Sequence, residues 1–458
     1  MMTKQLMLLP LLLTALCGCA VYRPAPLTEA TVATALAQPD MTAVRLDATR
    51  LRHPRLSPLE FDDRDGLSPD EAAVLAVLNN PRLRALRSQR GIAQAQLLQA
   101  GILPNPQLAY NLDVPFGGNT AGLVNAFGLG LTWEVTSLLT RGAKVDSATA
   151  HRAAVELDVA WQEWQVAQAA KQGVVRLASA QARLVLAQEI EHDLDERRQV
   201  VDRAAAQGNS TRIEVTAAES AWRSATTIRL GIEQEARRER LTLLEALGLG
   251  ASATVQVQTN FSFPSPSAIG DWSQSQITAD LEQQRLDLLA LRLGYESQDA
   301  ALRAAIRAQF PKINLGFARA RDTSDINTAG FGVTVDLPFF DRNQGRIALE
   351  AATRQQLFDD YTARVAQARF EVAQALAGLE STRRQLAATE AAIPGLQKLV
   401  EAYEAAMQQG NADVMIYYDA RASLANRRLE LLNLQRDLAN LFVALEIASG
   451  RILRGETK

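Results

Sequence analysis

Four short segments of the chain alternate large apolar residues with small or polar ones, which is the period of a β-strand with two unlike faces. The apolar positions are Leu108, Tyr110, Leu112 and Val114; Phe127, Leu129, Leu131, Trp133 and Val135; Ile313, Leu315 and Phe317; and Phe331, Val333, Val335 and Leu337. Each segment has about the length that a strand needs to cross a bilayer. We therefore expect one face toward lipid and the other toward water.

A second pattern, with apolar residues three and four positions apart, fills much of the remaining chain and predicts long helices with a coiled-coil seam. Residues 116–263 contain no proline, so nothing interrupts a helix there. We predict one helix of 67 residues from Arg141 to Gln207, about 100 Å long. It should turn at Gly208-Asn209 and return from Thr211 to Leu249.

The two halves of the chain carry the same features in the same order, which indicates an internal duplication. Pro104 and Pro311 end similar helical segments and lie 207 positions apart. The second half accordingly predicts a long helix from about Arg342 to Gln409, within which Pro394 should kink or break the helix. A turn at Gly410-Asn411 and a return helix from Asp413 to Ser449 should follow.

These patterns divide the chain into six segments. They are a signal peptide (1–18), an extended N-terminal segment anchored by lipid (19–66), the first repeat (67–250), an equatorial linker (251–275), the second repeat (276–450) and a C-terminal tail (451–458).

The N-terminus has the features of a secretory signal peptide that ends in a lipid attachment site. Lys4 precedes an apolar run from Leu6 to Leu16, which is too short to span a bilayer. The run leads into Cys17-Gly18-Cys19, and this sequence resembles the lipobox of bacterial lipoproteins. We expect cleavage before Cys19, a covalent palmitate-type lipid on its sulfur and no other cofactor. A plain signal peptide with an incidental cysteine is the alternative.

Composition excludes several classes of function. The chain is 47% hydrophobic and 22% charged, as in a folded protein. Its net charge of -3 argues against binding to nucleic acid. The three histidines (His53, His151 and His192) have no second ligand at metal spacing, and no nucleotide-binding or hydrolase motif occurs. We therefore expect neither a metal site nor an enzyme.

Four strands cannot form a pore by themselves, because a sheet in hydrocarbon must leave no open edge. Known barrels need about eight strands or more. Three copies with four strands each would close a barrel of about twelve strands. A soluble sheet packed on the helices is the alternative, since alternation alone suits it equally.

The segment Leu337–Arg346 carries the most specific resemblance, with the sequence LPFFDRNQGR. It resembles the block at the barrel-to-helix junction in the CzcC-like branch of the TolC superfamily, the outer-membrane partners of heavy-metal efflux pumps. The resemblance covers about residues 67–450. Arg285-Leu286-Asp287 stands where the drug-efflux branch has the triplet RPD, which favours the CzcC-like branch.

The resemblance implies an α+β membrane protein with a TolC-like fold. Three chains would form a 12-stranded β-barrel, with four strands per chain, continued by a long periplasmic α-helical coiled-coil barrel. An equatorial belt from about Ala251 to Gln274 and the termini would surround it. The resemblance also implies localisation in the outer membrane, contact with its lipid, and two protein partners, a periplasmic adaptor (membrane fusion) protein and an inner-membrane RND pump.

The family pattern also implies sites at the helix tips. In TolC-like ducts, carboxylates on the last return helix constrict the periplasmic end. Asp419 falls on the second aspartate of that pattern, whereas Ile416 stands at the first. We expect a gate at the level of Asp419, Tyr417, Tyr418 and Asp413, and adaptor contacts at Gly208, Asn209, Gly410 and Asn411. The alternatives are a solvated aspartate, an ion pair to a neighbouring helix, and simple helix capping.

The function expected from this resemblance is that of a passive exit duct of a tripartite RND-type efflux system, with heavy-metal cations as the expected cargo. One alternative is the duct of a multidrug or type I protein-secretion system. Another is a structural coiled-coil lipoprotein without a channel.

Overall fold

The computed structural model describes residues 20–62, 64–259, 274–409 and 413–453. The chain divides into two units, one up to Pro39 and one from Asp40 onward. The first unit contains helix α1 (Glu29–Ala35), which begins with a capping box at Thr28 and has no buried residue. The expected signal peptide and Cys19 lie outside the described residues.

The second unit contains the same order of elements twice. The first half comprises α2 (Met41–Thr49), α3 (Pro69–Asn79), α4 (Pro81–Gly101), β1 (Gln107–Asp113), β2 (Ala126–Glu134), α5 (Ser137–Ala206) and α6 (Arg212–Leu247). The second half comprises α7 (Gln274–Ala279), α8 (Leu281–Gln284), α9 (Leu286–Arg307), β3 (Ile313–Arg321), β4 (Asn327–Val335), α10 (Gln344–Gln408) and α11 (Val414–Ser449). The predicted series of helix, two strands, long helix and return helix is therefore confirmed.

The long helices agree with the predicted bounds to within a few residues. Helix α5 has 70 residues, which corresponds to about 105 Å, and α10 has 65. Of the two outcomes expected at Pro394, a kink or a break, the break is wrong, because α10 continues through the proline. A proline removes one backbone hydrogen bond. Packing along the adjacent return helix, with Val400 buried close by, keeps the turns on either side helical.

The four strands form one antiparallel sheet in the order β1-β2-β3-β4, which confirms the strands expected from the sequence. One row across the sheet consists of Leu108, Leu131, Phe317 and Phe331. The adjacent row on the other face consists of Ala109, Gly130, Ala318 and Gly330. Leu108 and Phe331 are each 70% exposed. The helices that the structure describes do not cover the apolar face, so the alternative of a sheet packed on them is wrong.

Part of the N-terminal segment expected to be extended is helical. Asp40 caps α2 by accepting a hydrogen bond from the Thr42 amide at 2.9 Å. Val44 and Ala48 of α2 are buried in a core that includes Leu75 of α3. Helix α2 has nine residues, too few turns for a strong periodic signal in the sequence.

The expected equatorial linker (251–275) is described only in part. Leu67, at the start of the first repeat, pairs with Val257 in an isolated parallel bridge. The Leu67 amide donates to the Gln256 carbonyl at 2.9 Å. These bonds fix the beginning of the linker against the first repeat.

Each return helix ends in a glycine that is in close contact with residues near the start of its own repeat. Gly248 ends α6 with φ +69°, and a Cβ there would lie 2.8 Å from Cδ of Pro81. Gly450 ends α11 with φ +72°, and its Cβ would lie 2.9 Å from the Gln284 carbonyl oxygen. The two glycines are 202 positions apart. The duplication inferred from sequence therefore extends to the way the helices pack.

Replacing Gly248 with alanine is expected to lower the free energy of unfolding by about 2–4 kcal/mol, because the left-handed backbone and the close contacts both oppose a Cβ. Thermal and chemical denaturation in detergent, followed by circular dichroism, measures the change. Gly250→Ala is the matched control, since no heavy atom lies within 4 Å of the added Cβ. A similar decrease in the free energy of unfolding in both variants would contradict the prediction.

A buried ionic cluster marks the start of α9. Arg285 is fully buried and donates to both carboxylate oxygens of Asp287 at 3.0 and 2.8 Å and to Glu371 at 2.5 Å. Arg364 donates to the same two carboxylates at 2.8 and 2.9 Å. The Arg285 guanidinium also lies 4.9 Å from the centre of the Trp161 ring. The cluster thus joins α9 to α10 and to α5.

Candidate channel gate

The first helix tip, between α5 and α6, is closed by backbone hydrogen bonds. Gly208 has φ +78°, and its amide donates to the Ala205 carbonyl at 3.0 Å. The Asn209 amide donates to the Ala204 carbonyl at 2.8 Å, so the turn is a Schellman motif. Thr211 then opens α6 with a capping box. Gly208 and Asn209 have this capping role, and their contact with an adaptor stays a prediction.

The second tip is described on its α11 side. Gly410 and Asn411 lie outside the described residues. Asp413 is the N-cap of α11, and its carboxylate accepts a hydrogen bond from the Met415 amide at 2.8 Å. Asp413 therefore fixes the first turn of the helix that carries the predicted gate.

Asp419 is exposed on α11 and borders a groove of about 280 Å³ between α5, α6 and α11. Asp193 and Arg421 line the same groove. Asp419 forms no ion pair with any residue that the structure describes. Its carboxylate is thus available to solvent and to cations, and its place in a gate stays a prediction.

Tyr417 and Tyr418 are buried inside the protomer, 2% and 8% exposed. Their rings pack edge to face with centres 5.3 Å apart. They belong to an apolar cluster that includes Leu194 of α5 and Val400 of α10. Burial raises the pKa of both hydroxyls. The two rings support the helix contacts behind Asp419, and their membership of the gate stays a prediction.

An ion-pair network near the tips joins three helices, and sequence reasoning missed it. Asp193 of α5 pairs with Arg421 of α11 and, at 3.2 Å, with Arg197 one turn along α5. Arg197 also pairs with Glu404 of α10 at 2.8 Å, and Arg421 donates to the Tyr417 hydroxyl at 2.6 Å. We call Asp193, Arg197, Glu404, Arg421 and Tyr417 the tip network. The contacts within one helix, Asp193–Arg197 and Tyr417–Arg421, have a local sequence signal in their spacing of four residues, whereas the contacts between helices have none.

Among the described residues, no group of three or more histidine, cysteine, aspartate and glutamate side chains is placed to hold a metal ion. The side chain of His53 is buried, and both its nitrogens are used. Nδ1 accepts from the amides of Arg55 and Leu56, and Nε2 lies 2.9 Å from the Ala160 carbonyl oxygen. Burial lowers its pKa. His53 therefore has a structural role.

No helix within the described ranges combines the length and the hydropathy needed to cross a membrane.

The chain is similar to outer-membrane efflux proteins. The profile described as "Outer membrane efflux protein" matches residues 278–451. The chain is 24% identical to the cobalt-zinc-cadmium resistance protein CzcC of Cupriavidus metallidurans, over 80% of this chain and 86% of that protein. It is 27% identical to the cation efflux system protein CusC of Escherichia coli K12 over 168 residues. The latter match spans 37% of the length of CusC.

Solved structures share the fold over most of their length. A membrane protein from Pseudomonas aeruginosa superposes with a TM-score of 0.73 at 20% identity, covering 88% of this chain and 98% of that one. A crystal structure of CusC gives a TM-score of 0.70 at 22% identity with the same coverage. The CmeC outer membrane channel of Campylobacter jejuni gives 0.71 at 18% identity, covering 94% and 95%.

Proposed function

We propose that this chain is an outer membrane efflux protein, as the match over residues 278–451 suggests, and that three copies of it form the exit duct of a tripartite efflux system. The observation that carries the proposal is the sheet: its large apolar face is exposed, and β1 and β4 are its edge strands. In hydrocarbon each open edge must pair with another strand. Joining β4 of one copy to β1 of the next closes a barrel of about twelve strands.

The helical part supplies the rest of the duct. The hairpins α5–α6 and α10–α11 extend from the sheet into the periplasm, where their tips are placed to meet an adaptor protein. The duct is passive and carries out no chemistry, so an inner-membrane RND pump would supply the energy. Heavy-metal cations are the proposed cargo, because CzcC and CusC are described as cobalt-zinc-cadmium resistance and cation efflux proteins.

Planar-bilayer recording of the purified protein tests the duct, and cross-linking tests the trimer. Discrete conductance steps from a trimeric species are expected. Trimers without conductance would support the structural coiled-coil lipoprotein instead. Metal tolerance of a strain that lacks the gene tests the cargo, and unchanged tolerance with increased drug sensitivity would favour the multidrug alternative.

We expect Asp419→Ala to raise single-channel conductance and to weaken block by divalent or trivalent cations. Three carboxylates around one axis repel each other and form an oxygen-rich site that attracts hard cations. Conductance and its inhibition by added cations are measured in the same bilayers. Glu430→Ala is the control, since Glu430 is an exposed carboxylate on the same helix that pairs with Arg427 at 2.7 Å. Equal effects of the two variants would remove Asp419 from the gate.

We propose that Cys19 carries the lipid anchor and that the mature chain begins there. Ala20 follows it, not the aspartate that retains lipoproteins at the inner membrane. Intact mass spectrometry is expected to show an acylated N-terminal cysteine, and a different N-terminus or an unmodified mass would contradict this. Because the barrel also holds the protein in the membrane, Cys19→Ala should reduce the amount of assembled trimer without abolishing it.

A further inference from the structure

Two arginines interrupt the apolar face of the sheet. In β3, Arg319 lies between Leu129 and Ala329, and Arg321 lies between Phe127 and Asn327. Both are an even number of residues from Phe317, so they share its face. The Arg321 side chain does lie on this face, because its guanidinium is 5.7 Å from the centre of the Phe127 ring.

The first repeat has apolar residues where the second has these arginines. The offset of 207 that relates Pro104 to Pro311 pairs Leu112 with Arg319 and Val114 with Arg321. Placing a cation on the lipid-facing side of a transmembrane strand costs free energy near mid-membrane and much less near the interface. The second repeat therefore carries two positive charges that the fold itself does not require.

The arginines lie at the end of the sheet that is remote from the helices. Strand β3 follows α9 and runs from Ile313 to Arg321, and the next residues form the loop 322–326 that leads into β4. With the helices in the periplasm, this end of the sheet reaches the outer leaflet. Long arginine side chains can extend from such positions to the headgroups.

Among the described residues, protein groups satisfy part of the hydrogen-bonding capacity of the Arg321 guanidinium and none of that of Arg319. Arg321 pairs with Asp325 at 3.4 Å and donates to the Asn125 carbonyl at 3.0 Å. Arg319 is exposed and has no ion pair or side-chain hydrogen bond with any residue that the structure describes. The neighbouring protomers of a closed barrel do not cover it either, because β3 is an inner strand of the sheet.

We propose that Arg319 and Arg321 form a binding site for the phosphate groups of lipopolysaccharide in the outer leaflet. Guanidinium groups bind phosphate oxygens through paired, charge-assisted hydrogen bonds. Alternate residues of one strand lie about 6.7 Å apart, so the two arginines can engage one phosphorylated headgroup together. A trimer presents three such sites around its rim. This inference rests on the proposed function, because it needs the sheet to lie in the outer membrane.

The test measures lipid bound to the full-length trimer by native mass spectrometry and by the thermal stability of the trimer. The lipids compared are lipid A, the same lipid A after phosphatase treatment, and phosphatidylethanolamine, with inorganic phosphate as a further arm. The native trimer should prefer phosphorylated lipid A, and inorganic phosphate should not stabilise it. R319L/R321L should reduce lipid A binding roughly tenfold, whereas R319K/R321K should retain most of it.

Arg84→Leu removes an exposed arginine from helix α4 and should leave lipid A binding unchanged. Equal binding of the phosphorylated and dephosphorylated lipids by the native trimer would overturn the inference even if R319L/R321L failed to assemble. Stabilisation by inorganic phosphate alone, or unchanged binding in R319L/R321L, would also overturn it. Planar-bilayer recording of the same preparation separates the two proposals. A conducting trimer without phosphate preference refutes this inference alone, and a protein that forms no channel refutes both.

Discussion

Replacing Arg285 with methionine is expected to lower the free energy of unfolding by about 3–5 kcal/mol, the cost of removing one partner from a buried ion pair. Arg285 is fully buried, and its loss leaves Asp287 and Glu371 with Arg364 as their remaining cationic partner. The bond to the Ala448 carbonyl at 3.3 Å and the contact with Trp161 are lost as well. Chemical denaturation of the protein in detergent measures the change.

The first repeat provides a matched control for this variant. Arg82 lies near the start of α4 and pairs with Glu245 at 3.3 Å, and the two side chains are 83% and 72% exposed. Exposed ion pairs contribute at most about 1 kcal/mol, so Arg82→Met should be close to neutral. If Arg285→Met lowered the free energy of unfolding by less than about 1 kcal/mol, water would have to reach the cluster.

The sequence predicted the helices and strands well because each carries a strong local signal. The turn at Gly208 and the cap at Thr211 fix the first hairpin within a few residues, and both signals are side-chain properties visible in the sequence. The alternation around Leu131 likewise identified β2, since the period of a strand does not depend on what the strand packs against.

Two failures have a common physical cause, which is that packing outweighed a local preference. Pro394 disfavours a continuous helix, but α10 is held along its length by α11 and continues. Helix α2 has only nine residues and gains its stability from burying Val44 and Ala48 against other helices. Short helices are marginal on their own, so a single sequence shows them only weakly.

The tip network could not be predicted, because it depends on the register between helices far apart in the chain. Asp193 and Arg421 are 228 positions apart, and no local pattern specifies which residues of two long helices stand at the same height. The repeat does not help either, since it relates equivalent positions and not contacting ones. The same limit applies to Tyr417, whose position two residues from Asp419 gave no sign that its ring is buried.

The tip network is placed to hold the helix tips together. Asp193 is its central carboxylate, because it contacts Arg421 on α11 and Arg197, which in turn contacts Glu404 on α10. Arg421 and Asp193 are 20% and 36% exposed, so each contact contributes less than a fully buried pair. In a trimer, however, a mutation that removes one of these contacts removes it three times around one constriction.

Asp193→Ala is therefore expected to shift the duct toward open states, with higher mean conductance in planar bilayers and greater entry of large solutes into reconstituted vesicles. A loss of about 1 kcal/mol changes a two-state equilibrium about fivefold, and three equivalent losses around one axis should add to this effect. Asp195→Ala is the matched control, because Asp195 lies two residues away and its partners among the described residues, Arg198 and Gln199, are on its own helix. An Asp193→Ala trimer with the conductance of the Asp195→Ala trimer would show that the tip network does not hold the duct closed.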